Sequence, residues 1–203
     1  MDNTLDNSAS VNPTVGAFHP GTVGAAHLLL VAVLLGLFAA AQSWHPLSVP
    51  PLAATALSVI AGAIAGAVTC TLVHEWFHYG GALLARGRYT RPSRLALFAF
   101  EWDFKNNSRR QFLTMSYAGT LGSLVAIVTF MLNVPATSPG GIALWSASVG
   151  SLAFAGGIEW QVIARVRAGG DPLTELAKTT PRVVLSSGFL GLLTALTVAL
   201  MLL

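Results

Sequence analysis

The chain has 203 residues, of which 54% are hydrophobic and only 9% charged, with a net charge of +3 and a mean hydropathy of +0.66. Soluble domains carry about 25% charged residues, so this composition excludes an ordinary soluble domain and points to an integral membrane protein. A balance of +3 gives no reason to expect nucleic acid as a partner, and the single cysteine excludes a disulfide framework or a cysteine-rich metal site. Cys70 lies in an apolar run and is expected as a small buried side chain.

Residues 1–21 are polar and proline-containing, with no basic segment at the start; they read as a disordered tail rather than a signal peptide. The first span is expected over 23–42, ending at Trp44, His45 and Pro46, where a tryptophan suits the membrane interface. Pro50-Pro51 opens a second hydrophobic segment, 52–85. At 1.5 Å per residue it is about 51 Å long, against about 30 Å of hydrocarbon, so it projects from the bilayer or bends near Gly80-Gly81. Spans at 112–132, 142–164 and 183–203 follow. Between the second and third, Leu95–Phe104 alternates with period two. Phe98, Phe100, Trp102 and Phe104 share one side, and Leu97, Ala99, Glu101 and Asp103 the other, the pattern of a short interfacial strand. The third span begins with a run of small residues, Ser116, Ala118, Gly119, Thr120, Gly122 and Ser123, that suits close helix approach.

All eleven Lys and Arg residues fall in two connections, 86–110 and 165–182. Both lie on one side of a five-span protein, and the positive-inside rule makes that side cytoplasmic. The N-terminus is then inside and the C-terminus outside. The expected fold is an all-α polytopic membrane protein of five transmembrane helices, a single membrane-embedded domain over 22–203, with a short strand or hairpin after the second span.

Within the second segment stands His74-Glu75-Trp76-Phe77-His78. Residues four apart share a helix face, so His74 and His78 can ligate one Zn²⁺, and Glu75 is placed to take a proton from water on that metal. Ionisable groups are costly inside a membrane, ~2.5–3.5 kcal/mol for a central charge on insertion scales, and mark function by default. The competing structural account, two satisfied histidines and a buried glutamate, leaves three polar side chains without partners in lipid. A hydrolytic zinc site needs a third protein ligand and an open position. His19 and His45 are misplaced for this by the topology, and His27 lies in the first span. Asp171 stands near the cytoplasmic end of the fourth span, Glu159 deeper within it, and Glu101 and Asp103 on the strand. Asp171 also has a structural reading: Asp171-Pro172 is a good N-cap and first helical residue, and the two roles are compatible.

Three segments in order, HEWFHYGGALLARG, SYAGTLGSLVAI and GGDPLTELAKTTPR, resemble the site-2 protease family of intramembrane zinc metalloproteases, across about residues 65–182. The resemblance implies Zn²⁺ held by His74, His78 and Asp171, with Glu159 as the alternative third ligand. It implies Glu75 as the base that activates water, and a membrane-protein substrate cleaved in or near the bilayer of a prokaryotic cell (inner) membrane. It also implies an extended substrate that adds to the strand edge near Phe100 and Trp102. The chain departs from the family pattern at Thr120 and Ser123, where Pro and Asn are usual, and at Pro172, where Gly is usual. A second reading is a non-proteolytic membrane scaffold or partner subunit that retains the metal site; association with itself or with a membrane partner fits either. A di-iron desaturase needs about eight clustered histidines and is excluded, and a transporter is disfavoured by the absence of repeats.

Overall fold

The computed structural model of the protein describes residues 18–44, 51–91 and 97–203. Most of the expected N-terminal tail, together with His45 and the first residues of the alternating segment, lies outside these.

Five long helices form the body, each long and apolar enough to cross a membrane: α1 (Pro20–Trp44), α2 (Pro51–Leu84), α3 (Arg109–Asn133), α4 (Pro139–Arg167) and, after the short α5 (Pro172–Ala177), α6 (Pro181–Leu202). The chain is an all-α polytopic membrane protein. Every helix but α3 begins at a proline, whose fixed φ and missing N–H suit the first helical turn. The residue before the proline caps the turn in three cases. Ser138, Asp171 and Thr180 accept the N–H groups of Gly141, Thr174 and Val183. At α3, Ser108 and Gln111 make a reciprocal capping box. The helices therefore start one to three residues before the expected spans, because a capped first turn precedes the continuous apolar run.

Helix α2 is the centre of the bundle and packs on α1, α3 and α4, while α6 packs on α4. It runs unbroken through Gly80-Gly81. Gly81 serves close approach to α3: a Cβ there would stand 2.6 Å from the Ala118 methyl and 3.0 Å from Met115 Cα. Side-chain contacts give the directions. Cys70 Sγ reaches Ser123 O at 3.9 Å and Gln111 Nε2 donates to Ala85 O at 3.1 Å, so α3 runs antiparallel to α2. Thr71 and Ser151 hydroxyls meet at 2.9 Å and Gly62 lies against Gly140, so α4 runs parallel to it. Gln42 of α1 joins Ser58 of α2 and the capping Ser138, and Trp76 Nε1 donates to His27 Nδ1 at 3.1 Å, tying α1 to α2 near both ends.

Between α2 and α3, β1 (Tyr89–Thr90) and β2 (Glu101–Trp102) pair antiparallel, with Tyr89 opposite Trp102. Among the described residues of the strand expected over Leu95–Phe104, those that pair are Glu101 and Trp102. Ala99 and Phe100 are both buried although adjacent, which simple alternation forbids, and 97–100 bend to carry both into the core beside Ala82 and Phe112. The two basic connections meet at the same end of the bundle, where Arg109 Nη1 lies 3.7 Å from the Cβ position of Gly169.

Candidate metal centre

His74 and His78, one turn apart on α2, are both buried, 3% and 8% exposed. Each ring is fixed through Nδ1. His78 Nδ1 lies 2.9 Å from the Met115 carbonyl oxygen, and His74 Nδ1 lies 2.9 Å from Ser123 Oγ, both partners on α3. A carbonyl oxygen only accepts, so His78 Nδ1 carries the hydrogen and its Nε2 turns a lone pair into the bundle. The Nε2 atoms of the two rings stand 2.9 Å apart. Glu159 of α4 brings its Oε1 to 2.9 Å from His74 Nε2 and 3.2 Å from His78 Nε2. Its other oxygen, Oε2, is buried and unpartnered.

Two imidazole nitrogens and a carboxylate oxygen thus converge within 4.8 Å of one another from two helices. With its hydrogen on Nδ1, His78 turns the lone pair of Nε2 toward the Glu159 carboxylate oxygen at 3.2 Å, an opposition that a cation between them relieves. The set can hold a metal ion, and the residues fit one. Two histidines and a glutamate are a known catalytic ligand set, and ligand bonds of 2.0–2.2 Å in a tetrahedron imply edges of about 3.4 Å, a few tenths wider than the distances here. The fixed Nδ1 atoms orient both rings in the way metal-bound histidines are held by outer partners.

Gly119 makes room for this arrangement. A Cβ at that position would fall 2.2 Å from His78 Cε1 and 2.4 Å from its Nε2, so any larger residue on α3 displaces the ring. The small-residue run therefore does two jobs: it lets α3 approach, and it supplies Ser123 as a partner for His74. Ser123 is 1% exposed and occupies the position where the resembled family has Asn. Thr120, at the other departure, accepts a hydrogen bond from Trp160 Nε1 at 3.2 Å.

The remaining carboxylates lie elsewhere. Asp171, expected as third ligand, caps α5: its Oδ1 accepts the Thr174 N–H at 2.9 Å and the Thr174 hydroxyl at 2.8 Å. Those bonds hold its carboxyl below the usual range. Asp171 follows the end of α4, whereas the histidines are set back from the end of α2, and so it misses their level. Asp103 accepts the N–H groups of Lys105 and Asn106, and Glu101 is exposed on β2. His19 accepts the Gly21 N–H at the start of α1, and His27 takes the Trp76 indole hydrogen. Among the described residues, the group that could hold a metal is His74, His78 and Glu159.

Glu75 and the metal-facing His78 and Glu159 line one cavity of about 250 Å³. Phe100 and Trp102 also line it, at the side formed by the hairpin. The centre is thus not closed. One side is packed helix and the other is a hollow large enough for several waters or part of a ligand, since a water occupies about 30 Å³. Such an arrangement can present a metal-polarised group to a carboxylate base, and the hollow gives a reacting molecule access to both.

Comparison with protein-family models, with curated proteins and with solved structures finds no match to this chain.

Proposed function

We propose that the protein is an intramembrane zinc metallopeptidase in which His74, His78 and Glu159 hold the metal and Glu75 is the general base. The carrying observation is the convergence of His74 Nε2, His78 Nε2 and Glu159 Oε1, with both Nδ1 atoms fixed, beside a cavity that His78, Glu159 and Glu75 line. Zinc fits this donor set, and when bound it supplies the Lewis acidity that polarises water and a substrate carbonyl.

The residues divide the remaining work. Glu75 takes a proton from the attacking water and passes it to the departing amine, so that one peptide C–N bond is replaced by a carboxyl group and an amine. Ser123 and the Met115 carbonyl keep the imidazoles oriented through the cycle. The buried helices α2, α3 and α4 exclude bulk water from one side, which strengthens every electrostatic contact inside. The substrate is a membrane-associated polypeptide, because the base and ligands sit inside helices long and apolar enough to span a bilayer. The positive-inside rule, applied to the basic connections, supports a site toward the cytoplasmic face, and the short β2 edge offers an extended substrate backbone a place to pair.

The test is a comparison of new protein N-termini in membranes of cells expressing the wild type or Glu75→Gln. The proposal expects termini that appear with the wild type and vanish in the variant, with zinc content unchanged. Zinc retained in both, with identical termini, favours the alternative of a non-proteolytic scaffold that keeps its metal.

A further inference from the structure

The cavity beside the proposed centre is much larger than a metal and a water require, and almost all of its wall is apolar. Phe112 and Met115 come from α3, Val162 and Ile163 from α4, and Phe100 and Trp102 from the hairpin. Phe112, Met115, Val162 and Phe100 belong to one buried cluster, each at most 9% exposed, so the walls are packed from behind and keep their shape. On α4, Glu159, Val162 and Ile163 are spaced i, i+3, i+4. The metal-facing carboxylate and the apolar wall are thus neighbours on one helix face. Phe98 and Leu176, 56% and 39% exposed, stand at the rim on the side of the basic connections and mark the mouth.

We infer that this hollow is a specificity pocket that takes one large apolar side chain, of leucine, methionine or phenylalanine size, from the residue next to the cleaved bond. The inference rests on the metallopeptidase reading and adds its substrate class. A polar side chain would lose its water against walls whose only polar side chains away from the ligand floor are Ser116 and the Trp102 indole, and alanine would leave most of the space unfilled. Val162 of α4 and Phe100 of the hairpin both line the hollow, so they are the specificity-determining residues.

The probes are three uncharged hydroxamic acids that share one metal-binding head and differ in their tails: acetohydroxamic, 4-methylpentanohydroxamic and 3-phenylpropanohydroxamic acid. Their binding to the zinc-loaded full chain in detergent is measured by calorimetry. The two large tails are expected to bind at least about 10-fold more tightly than acetohydroxamic acid. Val162→Phe, which fills the pocket, should bring that ratio close to one with zinc content unchanged. Phe100→Ala, which deepens it, should shift the preference toward the phenyl tail; this second variant decides the matter if the first does not fold. Equal affinity for all three tails overturns the inference, and so does a preference that survives both substitutions, which would be partition into detergent. Zinc bound without tail preference removes the pocket and leaves the metal centre standing. Failure of the chain to bind zinc or any hydroxamate removes both.

Discussion

At the level of single residues, the site depends on which groups touch the two imidazoles. Replacing Ser123 with Ala takes the partner from His74 Nδ1 and should weaken zinc affinity about 10- to 100-fold, as loss of outer partners does elsewhere. Ser123→Thr, which keeps the hydroxyl, should recover part of it; competition with a calibrated chelator reads both. Gly119→Ala should be more damaging to zinc than to folding. Its methyl would occupy the place of the His78 ring, while the rest of α3 keeps its contacts. Circular dichroism together with metal content separates the two effects. The histidine pair and Glu75 are legible in the sequence from four-residue helical spacing alone. Glu159 stands in the sequence as one of four open carboxylates, beside Asp171, Glu101 and Asp103, and a count from helix ends picks it out. His74 and His78 lie ten and six residues before Leu84, and Glu159 lies eight before Arg167, on a helix parallel to α2. At 1.5 Å per residue it falls between the two histidines in depth. That count needs the true helix ends and the direction of α4, which apolar content alone leaves several residues uncertain. The bond from Ser123 to His74 has no sequence signal beyond a small residue on a packed face.

Among the elements, α5 is the least supported. It has six residues and is held chiefly through Glu175, whose carboxylate takes Lys178 Nζ at 2.6 Å and Arg165 Nε at 2.8 Å. The Lys178 ammonium first, and then Arg165, hold the Glu175 carboxyl below its ordinary 4.5. A depressed carboxyl stabilises the folded form above its unfolded value, and that contribution disappears as pH falls below about 4.5 through the lower folded value. Hydrogen exchange of the α5 amides should therefore accelerate on acidification through that window. Glu175→Gln should show the fast exchange already at neutral pH, with zinc content unaffected. The element boundaries show the same division between legible and hidden. Prolines and Ser, Asp or Thr caps are visible in the sequence and account for the helix starts, yet hydropathy places each start too late because caps are polar. The hairpin shows the reverse. Its aromatic alternation is plain, but burial of both Ala99 and Phe100 against α2 and α3 overrides the period, a tertiary demand that no local pattern carries.

For the whole molecule, five apolar helices carry the membrane assignment, and this follows from composition before any motif is considered. Helices α1 and α6 lie at the outside of the bundle and expose large apolar side chains such as Leu29, Leu37, Leu185 and Phe189, the faces that lipid covers in a membrane. The basic connections share one end of the bundle, so orientation is a single choice, and the positive-inside rule predicts it. Alkaline phosphatase fused after Leu203 should be active outside the cytoplasm and inactive when fused after Arg88; the opposite pair of results would invert the topology and move the metal centre to the other face.

The proposed centre is three side chains, His74, His78 and Glu159, that together would hold one zinc ion. Metal content of the purified chain, measured by mass spectrometry beside His74→Ala, Glu159→Gln, Glu75→Gln and Asp171→Asn, tests that most directly. About one zinc per chain is expected in the wild type, in Glu75→Gln and in Asp171→Asn, with loss of most of it in His74→Ala and Glu159→Gln. A wild type without zinc, or zinc that survives Glu159→Gln and departs with Asp171→Asn, would contradict it.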